Sequence, residues 1–222
     1  MPSPLRKQRD LERKERTRAQ LLDAGAEVFV AKGYHRTLIS DIVAQAGVGQ
    51  GTFYRFFDGK RELFMTLLDG FFRDLFAEFQ PMSAHLPTNL AEYRQASMAA
   101  VRRVAHKLDE NRDRALMFLR ETPSIDSEAD QRLARLYDQF AQLAQFYLDH
   151  AIAHGFARPC NSAIVAQALV GIGSRMMQNW FDRRSGDFTL EQLSREVVDF
   201  AFLGFGAADA PSRIAPPRRA DP

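Results

Sequence analysis

Apolar residues recur at spacings of three and four along most of the chain, and no long segment alternates between apolar and polar positions. The first spacing is the period of an amphipathic α-helix, whereas alternation is typical of a half-buried β-strand. Prolines and glycines interrupt the pattern at intervals and divide it into separate helices. The pattern therefore predicts an all-α protein.

Two short helices joined by a tight turn are predicted within Leu38–Lys60. The first extends from about Ser40 to Ala46, and the second from about Gln50 to Phe57. Gly47 follows the first helix, at a place where a left-handed backbone is common and glycine adopts it without a clash. The second helix has an apolar face and a polar face. This arrangement is typical of a helix-turn-helix, whose second helix enters the DNA major groove.

The helices on either side of this pair are longer. One is predicted to begin near Leu11 or Glu12 and to end at Lys32, before Gly33. The other is predicted from Lys60 to about Gln80, where Pro81 and Pro87 break the chain. Its apolar face is too wide for a helix that packs on one neighbour. We therefore expect it to contact both the helix-turn-helix and the rest of the protein.

The chain after Pro87 is also predicted to be helical. Its helices are expected at about residues 89–108, 112–120, 127–154, 162–182 and 190–205, with Pro123 ending the second of them and Pro159 following the third. The first eleven residues and the stretch from Ala207 are rich in proline and charge, which is typical of disordered tails.

The basic residues are concentrated near the predicted helix-turn-helix. Residues 1–60 contain eleven Lys and Arg against seven Asp and Glu, whereas the remainder contains nineteen against twenty-one. Such asymmetry suits a DNA-binding end joined to a domain with another role, although a solvated basic surface gives the same count. No apolar run of about eighteen residues predicts a membrane span. The single cysteine, Cys160, fits a reducing cytoplasm.

Catalytic and metal-binding signatures are weak. There is no Gly-rich phosphate loop and no nucleophile–base pair at a recognisable spacing, so we expect neither an enzyme nor a cofactor. His150 and His154 are four residues apart on a predicted helix, a spacing that suits a metal pair. We favour an exposed coincidence and predict no metal site.

One set of residues resembles the DNA-binding domain of the tetracycline-repressor-like (TetR) family over roughly residues 17–68. The matching residues are Gly33-Tyr34, Thr37, Asp41-Ile42, Ala46-Gly47-Val48, Gly51-Thr52-Phe53-Tyr54, Phe57, Lys60 and Leu63. The resemblance implies a helix-turn-helix DNA-binding domain at 12–59 and a helical effector-binding and dimerisation domain at 60–206. The segments 1–11 and 207–222 are then disordered tails.

The resemblance also implies residues that contact DNA. Thr37, Thr52, Tyr54 and Lys60 match positions that contact the sugar-phosphate backbone, and Gly51 matches a place of close approach. Gln50 and Arg55 are the candidates for base contacts, because Gln pairs with adenine and Arg with guanine.

The chain departs from the family pattern at Leu38, Gly49 and Gln50, where the family usually has Ser or Thr, then Ser, then Lys. Leu38 has no side-chain acceptor for a helix N-terminus, so Thr37 or Ser40 is expected to cap the first short helix.

For the second domain, the resemblance implies an effector pocket and a dimer of four helices. Candidate pocket residues are Phe72, Phe76, Met98, Met117, Phe118, Tyr137, Phe140 and Trp180. Candidate dimer residues are Leu169, Ile172, Met176, Val197, Phe200 and Phe205.

The sequence therefore predicts a ligand-responsive transcriptional regulator, most simply a repressor. Its expected partners are double-stranded DNA, a small apolar or aromatic effector and a second copy of the chain, in the cytoplasm and without a membrane. The alternative is an architectural DNA-binding protein without an effector, which predicts weak sequence preference and a second domain without a cavity.

Overall fold

The computed structural model describes residues 4–182 and 188–203, and all the regular secondary structure in these ranges is α-helical. The helices are α1 (Pro4–Lys32), α2 (Ile39–Ala46), α3 (Gln50–Phe53), α4 (Lys60–Ala77), α5 (Gln80–Ala84), α6 (Leu90–Glu110), α7 (Arg112–Ile125), α8 (Ser127–Ala153), α9 (Ser162–Asp182) and α10 (Leu190–Leu203). The predicted all-α fold is confirmed. Phe205 and the predicted tail at 207–222 lie outside the described residues.

The N-terminal unit is formed by α1, α2 and α3 together with the start of α4. Phe29 from α1, Ile42 from α2 and Phe53 from α3 are fully buried and belong to one apolar cluster. Gly33 and Gly47 both have positive φ, at 75° and 66°, where the chain leaves α1 and α2. Glycine suits both places because the left-handed region carries no Cβ clash for it.

The first helix is longer than predicted. It begins at Pro4, so residues 4–11, expected within a disordered tail, are helical. Lys, Arg, Glu and Gln are good helix formers, and proline is tolerated in the first turn. Gln8 Nε2 also donates to Glu12 Oε1 one turn later, at 3.3 Å.

The second helix of the pair is shorter than predicted, because α3 ends at Phe53 instead of Phe57. The N–H groups of Arg55 and Phe56 donate to carbonyl oxygens three residues earlier, at 3.3 and 2.9 Å. Such bonds tighten the end of a helix into a turn. The tightening turns Phe57 into the core, where its exposed fraction is 2%.

Of the four prolines predicted to break the chain, Pro87 and Pro159 lie between helices, whereas Pro81 and Pro123 lie inside them. Pro81 is in the first turn of α5, where its missing N–H has no helical partner to lose. Pro123 lies near the end of α7, which continues past it to Ile125 and loses one backbone hydrogen bond. The prediction that α7 ends before Pro123 was therefore wrong.

The long helix α4 is packed into both parts of the protein. The ring of Phe64 lies 5.2 Å from that of Phe29 in α1 and 5.4 Å from that of Phe118 in α7. Farther along α4, Phe72 belongs to the same buried cluster, which also includes Leu136 of α8. The predicted double contact of this helix is confirmed.

The remaining helices form a C-terminal bundle. α8 packs along α9 and against α7, and α10 packs along α6. A smaller apolar cluster joins α6, α9 and α10 around Ala105, Leu190 and Leu193. The bundle is therefore assembled as two helix pairs, between which the apolar side chains meet.

We predict that Gly25→Ala destabilises the protein by about 1–3 kcal/mol, because overpacked buried sites cost that much. A Cβ at Gly25 of α1 would lie 2.4 Å from Cδ2 of Leu63, which is fully buried in α4. Urea denaturation measures the change.

Gly70→Ala is the control, because nothing lies within 4 Å of a Cβ built at Gly70. This substitution should leave stability unchanged or raise it by up to about 1 kcal/mol, since alanine is the better helix former. Equal effects of the two substitutions would contradict the close approach of α1 and α4.

Candidate nucleic-acid interface and candidate ligand cavity

The turn between α2 and α3 is stabilised by backbone geometry. Gly47 adopts the left-handed conformation, and Val48 N–H donates to the carbonyl of Val43 at 3.0 Å. Gly47 N–H also donates to the carbonyl of Ala44 at 3.2 Å, so two carbonyl groups at the end of α2 have hydrogen-bond donors. These bonds also set the direction in which the chain enters α3.

The start of α2 is stabilised differently from the prediction. Thr37 does not cap it, because its hydroxyl donates to the carbonyl of Gly33 at 2.8 Å. Instead, the Asp41 carboxylate accepts from Leu38 N–H at 3.0 Å and pairs with Lys32 at 2.8 Å. The hydrogen bonds from Lys32 and then from Leu38 lower the pKa of Asp41. An acidic residue in the first turn also suits the helix dipole.

A recognition surface is defined by Gln50, Gly51, Thr52, Tyr54 and Arg55, in α3 and the turn after it. Thr52 is half-buried and the other four are exposed, with 56% of Tyr54 accessible. Beneath them, Phe53 and Phe57 of the same segment are buried and Phe56 is half-buried. The predicted DNA-contacting residues of this segment are thus brought together on a rigid apolar base.

Two other predicted DNA contacts, Thr37 and Lys60, are engaged inside the protein. Thr37 is fully buried. Lys60 Nζ donates to the carbonyls of Tyr34, His35 and Thr37 at 2.9, 3.2 and 2.8 Å. It also lies 4.7 Å from the centre of the Tyr34 ring. Burial lowers the pKa of Lys60. Its three donors are used to hold the segment between α1 and α2.

Leu38, which departs from the family pattern but was not predicted as a DNA contact, is exposed. It precedes α2 and 62% of it is accessible. Apolar side chains contact the thymine methyl group in the major groove. The unusual residue at this position was visible in the sequence as a departure from the family pattern, because Leu38 stands where the family usually has a capping Ser or Thr.

The corner between α7 and α8 contacts the N-terminal unit through polar groups. Arg61 of α4 donates to both carboxylate oxygens of Asp126, at 2.7 and 3.1 Å, and to Glu128 at 2.9 Å. Glu121 of α7 accepts from Tyr34 N–H at 3.0 Å. The bidentate pair to Arg61 lowers the pKa of Asp126 to about 2. These contacts tie the corner to the chain on both sides of the α2–α3 pair.

A cavity of about 310 Å³ lies within the C-terminal bundle. Its walls come from α4 and every helix from α6 to α10, with Met82 from α5. Four of the predicted pocket residues line it: Phe72, Phe118, Tyr137 and Phe140. Drug-sized ligands typically occupy pockets of about 300–1,000 Å³. The cavity therefore has the size and apolar character of a binding site for a small organic molecule.

The other predicted pocket residues lie elsewhere. Met117 is buried in the main apolar cluster, and Met98 is half-buried on α6 without lining the cavity. Phe76 stacks on Phe140 with ring centres 4.0 Å apart, and lines a surface groove instead. Trp180 Nε1 donates to Asp109 at 2.7 Å. Helical periodicity identified apolar positions but not which of them leave a space between them.

Three of the predicted dimer residues, Leu169, Met176 and Val197, line the cavity. Ile172 is half-buried, and Phe200 is 41% accessible on α10. The apolar residues of α9 and α10 are thus divided between an inner and an outer face.

Lining residues that were not predicted come from every part of the wall, among them several from α6 and α10. They include Tyr93, Ser97, Val101, Val104, Ser194 and Val198. In the sequence, Tyr93, Val101 and Val104 form an apolar stripe at helical spacing. That stripe alone did not show which helices α6 would face.

The histidine pair on α8 is engaged by the protein. His150 Nε2 lies 2.8 Å from the carbonyl oxygen of Pro87, and His154 Nδ1 lies 2.8 Å from the carbonyl oxygen of His150. Within residues 4–182 and 188–203, no group of three metal-ligating side chains is found. In the same ranges no helix is long and apolar enough to cross a membrane.

Family models match most of the chain. Residues 21–67 match the model of the bacterial regulatory proteins of the tetR family. Residues 98–205 match the model of the tetracyclin repressor-like C-terminal domain. The first match contains α2, α3 and the recognition surface, and the second contains most of the cavity lining.

Individual proteins are similar over nearly their whole length. The HTH-type transcriptional repressor KstR2 of Rhodococcus jostii is 23% identical over 199 residues, which are 89% of this chain and 95% of that protein. The uncharacterized HTH-type transcriptional regulator YfiR of Bacillus subtilis is 28% identical over 79% of this chain and 86% of its own. The crystal structure of FadR from Bacillus subtilis in complex with stearoyl-CoA superposes with a TM-score of 0.71 at 20% identity, covering 85% of this chain and 99% of that one.

We predict that Lys60→Met lowers the stability of the protein without DNA by about 1–3 kcal/mol, because it removes the donor from three backbone carbonyls, those of Tyr34 and Thr37 being partly buried. Urea denaturation measures this loss. Arg55→Met is the matched control, since Arg55 is exposed on the recognition surface. It should leave stability within about 0.5 kcal/mol of the original. A Lys60→Met protein as stable as Arg55→Met would show that Lys60 does not hold the segment between α1 and α2.

We also predict that the pKa of Asp126 returns from about 2 towards its ordinary value of 3.8 in Arg61→Gln. The folded pKa is lowered, so the pair stabilises the protein above about pH 4 and this contribution is lost as the pH falls through 2. Carbon-13 NMR of the aspartate carboxyl groups measures both values. An unchanged Asp126 pKa in Arg61→Gln would show that the pair does not control this carboxylate.

Proposed function

Because the chain belongs to the tetR family of bacterial regulatory proteins, we propose that it is a transcriptional repressor that binds a palindromic operator as a dimer and is released by a small apolar effector. The observation that carries the proposal is the recognition surface, with its exposed polar side chains on a buried phenylalanine base. Regulators of this family bind DNA and small-molecule effectors. The similar protein KstR2 is a transcriptional repressor, which supports repression over activation for this chain.

On DNA, Gln50 and Arg55 read base edges, and Thr52 and Tyr54 donate to phosphates. Gly51 permits close approach of the backbone, since no side chain separates it from the duplex. Thr37 and Lys60 act indirectly, by holding the segment before α2 through the bonds described above. With Gln at position 50 in place of a cation, phosphate attraction is weaker and base contacts carry more of the specificity.

The dimer is formed through the outer faces of α9 and α10. Exposed apolar residues there include Ile164, Leu203 and Phe200, of which the first two are 64% and 70% accessible. Burying such residues between two copies is favourable by about 25 cal/mol per Å² of apolar surface. A dimer places two recognition surfaces on half-sites about 34 Å apart on one side of the DNA.

The effector occupies the cavity and changes the equilibrium between DNA-binding and released conformations. α7 contributes Phe118 to the cavity wall and Glu121 to the contact with Tyr34, so it connects the two sites. α4 does the same through Phe72 and Arg61. The stearoyl-CoA bound to the similar FadR supports an apolar effector in this fold.

An architectural DNA-binding protein without an effector is the second candidate. It accounts for the recognition surface but gives no role to the apolar cavity. The regulatory role accounts for both features. We therefore propose that the protein acts on DNA in the cytoplasm and has no catalytic activity.

We predict that in vitro selection from random duplexes yields one short palindrome. Against this palindrome and single-base variants of it, Tyr54→Ala should weaken binding to all duplexes alike. Gln50→Ala or Arg55→Ala should instead change the preference between variants by about 1–3 kcal/mol at the contacted position. Fluorescence anisotropy at a fixed salt concentration measures these affinities.

Two outcomes would contradict the proposal. Selection without any enriched sequence would favour the architectural role. Equal losses on every duplex for all three variants would exclude the division between base and phosphate contacts. Gln95→Ala, an exposed substitution on α6 away from the recognition surface and from the α9–α10 face, serves as the control that leaves DNA affinity unchanged.

A further inference from the structure

The cavity wall is free of charge. Among the residues described, those that line it include no Asp, Glu, Lys, Arg or His. Its polar side chains are three tyrosines and three serines, and all the others are apolar. A ligand that enters this space leaves water and meets almost only carbon.

Three arginines on α6, the helix that contributes Tyr93 and Val101 to the wall, are already engaged. On α6, Arg94 pairs with Asp199 of α10 at 2.5 Å. Arg103 donates to the carbonyl of Glu78 at 2.7 Å. Arg102 pairs with Glu191 through Nη2, which neutralises its charge, although its buried Nε has no partner. These pairs hold α6 to α10 and to the end of α4, and they leave the cavity without a counter-ion for an anionic ligand.

The missing counter-ion decides which ligands are bound. Moving a carboxylate from water into a low-dielectric site costs several kcal/mol unless a cation or several donors compensate. The hydrophobic gain for a small apolar ligand is of similar size, at about 25 cal/mol per Å². An ionised group inside the cavity would therefore cancel most of the affinity.

Three lining hydroxyl groups have no partner in the described part of the chain: those of Tyr93, Ser97 and Tyr137. Burial raises the pKa of Tyr93 to about 12 and raises that of Tyr137 as well, so both phenols keep their protons at neutral pH. The hydroxyl of Tyr147 differs, since it shares a 2.5 Å hydrogen bond with Ser83 and donates to the carbonyl of Phe79 at 3.3 Å. Ser174 and Ser194 likewise donate to carbonyls of their own helices.

We infer that the cavity selects an uncharged apolar molecule with one oxygen acceptor, such as a ketone or an ester, whose oxygen accepts a hydrogen bond from the phenol of Tyr93 or of Tyr137. This inference rests on the proposed function for the role of the ligand, but the binding that it describes is measured without DNA. It excludes free carboxylic acids in their ionised form as the buried part of the effector. A charged group is compatible only where it stays outside the cavity.

Three probes that share a naphthalene ring separate the contributions: 2-acetylnaphthalene, 2-naphthoate, whose substituent has nearly the same shape, and naphthalene, which has no substituent. Dissociation constants for the full-length protein are measured by ligand fluorescence at pH 8, where the naphthoate is ionised. We expect 2-acetylnaphthalene to bind at least about tenfold more tightly than 2-naphthoate, because only the latter buries a charge.

The tyrosine contacts are tested with Tyr93→Phe and Tyr137→Phe. At least one of them should weaken the binding of 2-acetylnaphthalene by about 2- to 10-fold, which corresponds to the loss of one hydrogen bond of about 0.5–1.5 kcal/mol. Neither should weaken the binding of naphthalene, which has no acceptor. Tyr147→Phe is the comparison, because its hydroxyl is already bonded within the protein. It should leave the ratio of ketone to naphthalene affinity unchanged.

The inference is overturned if 2-naphthoate binds as tightly as the ketone, if neither neutral probe binds, or if neither tyrosine variant weakens the ketone more than it weakens naphthalene. Release of the selected palindrome is measured separately with each probe. Release by tightly bound 2-naphthoate would overturn the inference and leave the proposed function intact. Selective binding of the ketone without release would support the inference and overturn the proposed effector response.

Discussion

The buried aromatic face of α4 is the constraint on which the rest of the structure depends. Phe64 lies between Phe29 of α1 and Phe118 of α7, with ring centres 5.2 and 5.4 Å away. One apolar cluster therefore runs without a break from the helix-turn-helix into the bundle. Because protein interiors are close-packed, α4 cannot shift on one side without moving its neighbours on the other. The recognition surface and the cavity are therefore mechanically connected.

Polar contacts complement this apolar connection at its edge. Arg61 with Asp126, and Glu121 with Tyr34 N–H, join the α7–α8 corner to the N-terminal unit. Contacts of this kind are exposed enough to be remade in a second arrangement, whereas the Phe64 cluster resists separation. A cavity ligand that moves α7 would act on the polar contacts first. The polar contacts can be remade while the Phe64 cluster stays intact. The N-terminal unit and the bundle are therefore expected to shift relative to each other and not to separate.

The same chain uses polar groups in opposite ways at its two sites. On the recognition surface, Gln50, Tyr54 and Arg55 are exposed and free to exchange water for DNA. In the cavity, charged groups are excluded and the nearby arginines are paired with carboxylates on the helices around it. The first arrangement suits a large, hydrated polyanion, and the second suits a small molecule that sheds its water. This contrast is the physical basis for two separate ligands.

The sequence by itself determined the helical class, the α2–α3 pair and the Gly47 turn, because periodicity and glycine conformation are local properties. It also identified the exposed residues of the recognition surface, which follow from the polar face of one short segment. Only the tertiary structure decided that Lys60 donates to three carbonyls of a distant segment, that Arg61 meets Asp126, and that Leu169, Met176 and Val197 face a cavity. Such contacts join residues far apart in the chain. An apolar stripe specifies that a helix face is buried, but the packing of several helices decides whether that face meets another side chain, a second copy or a space.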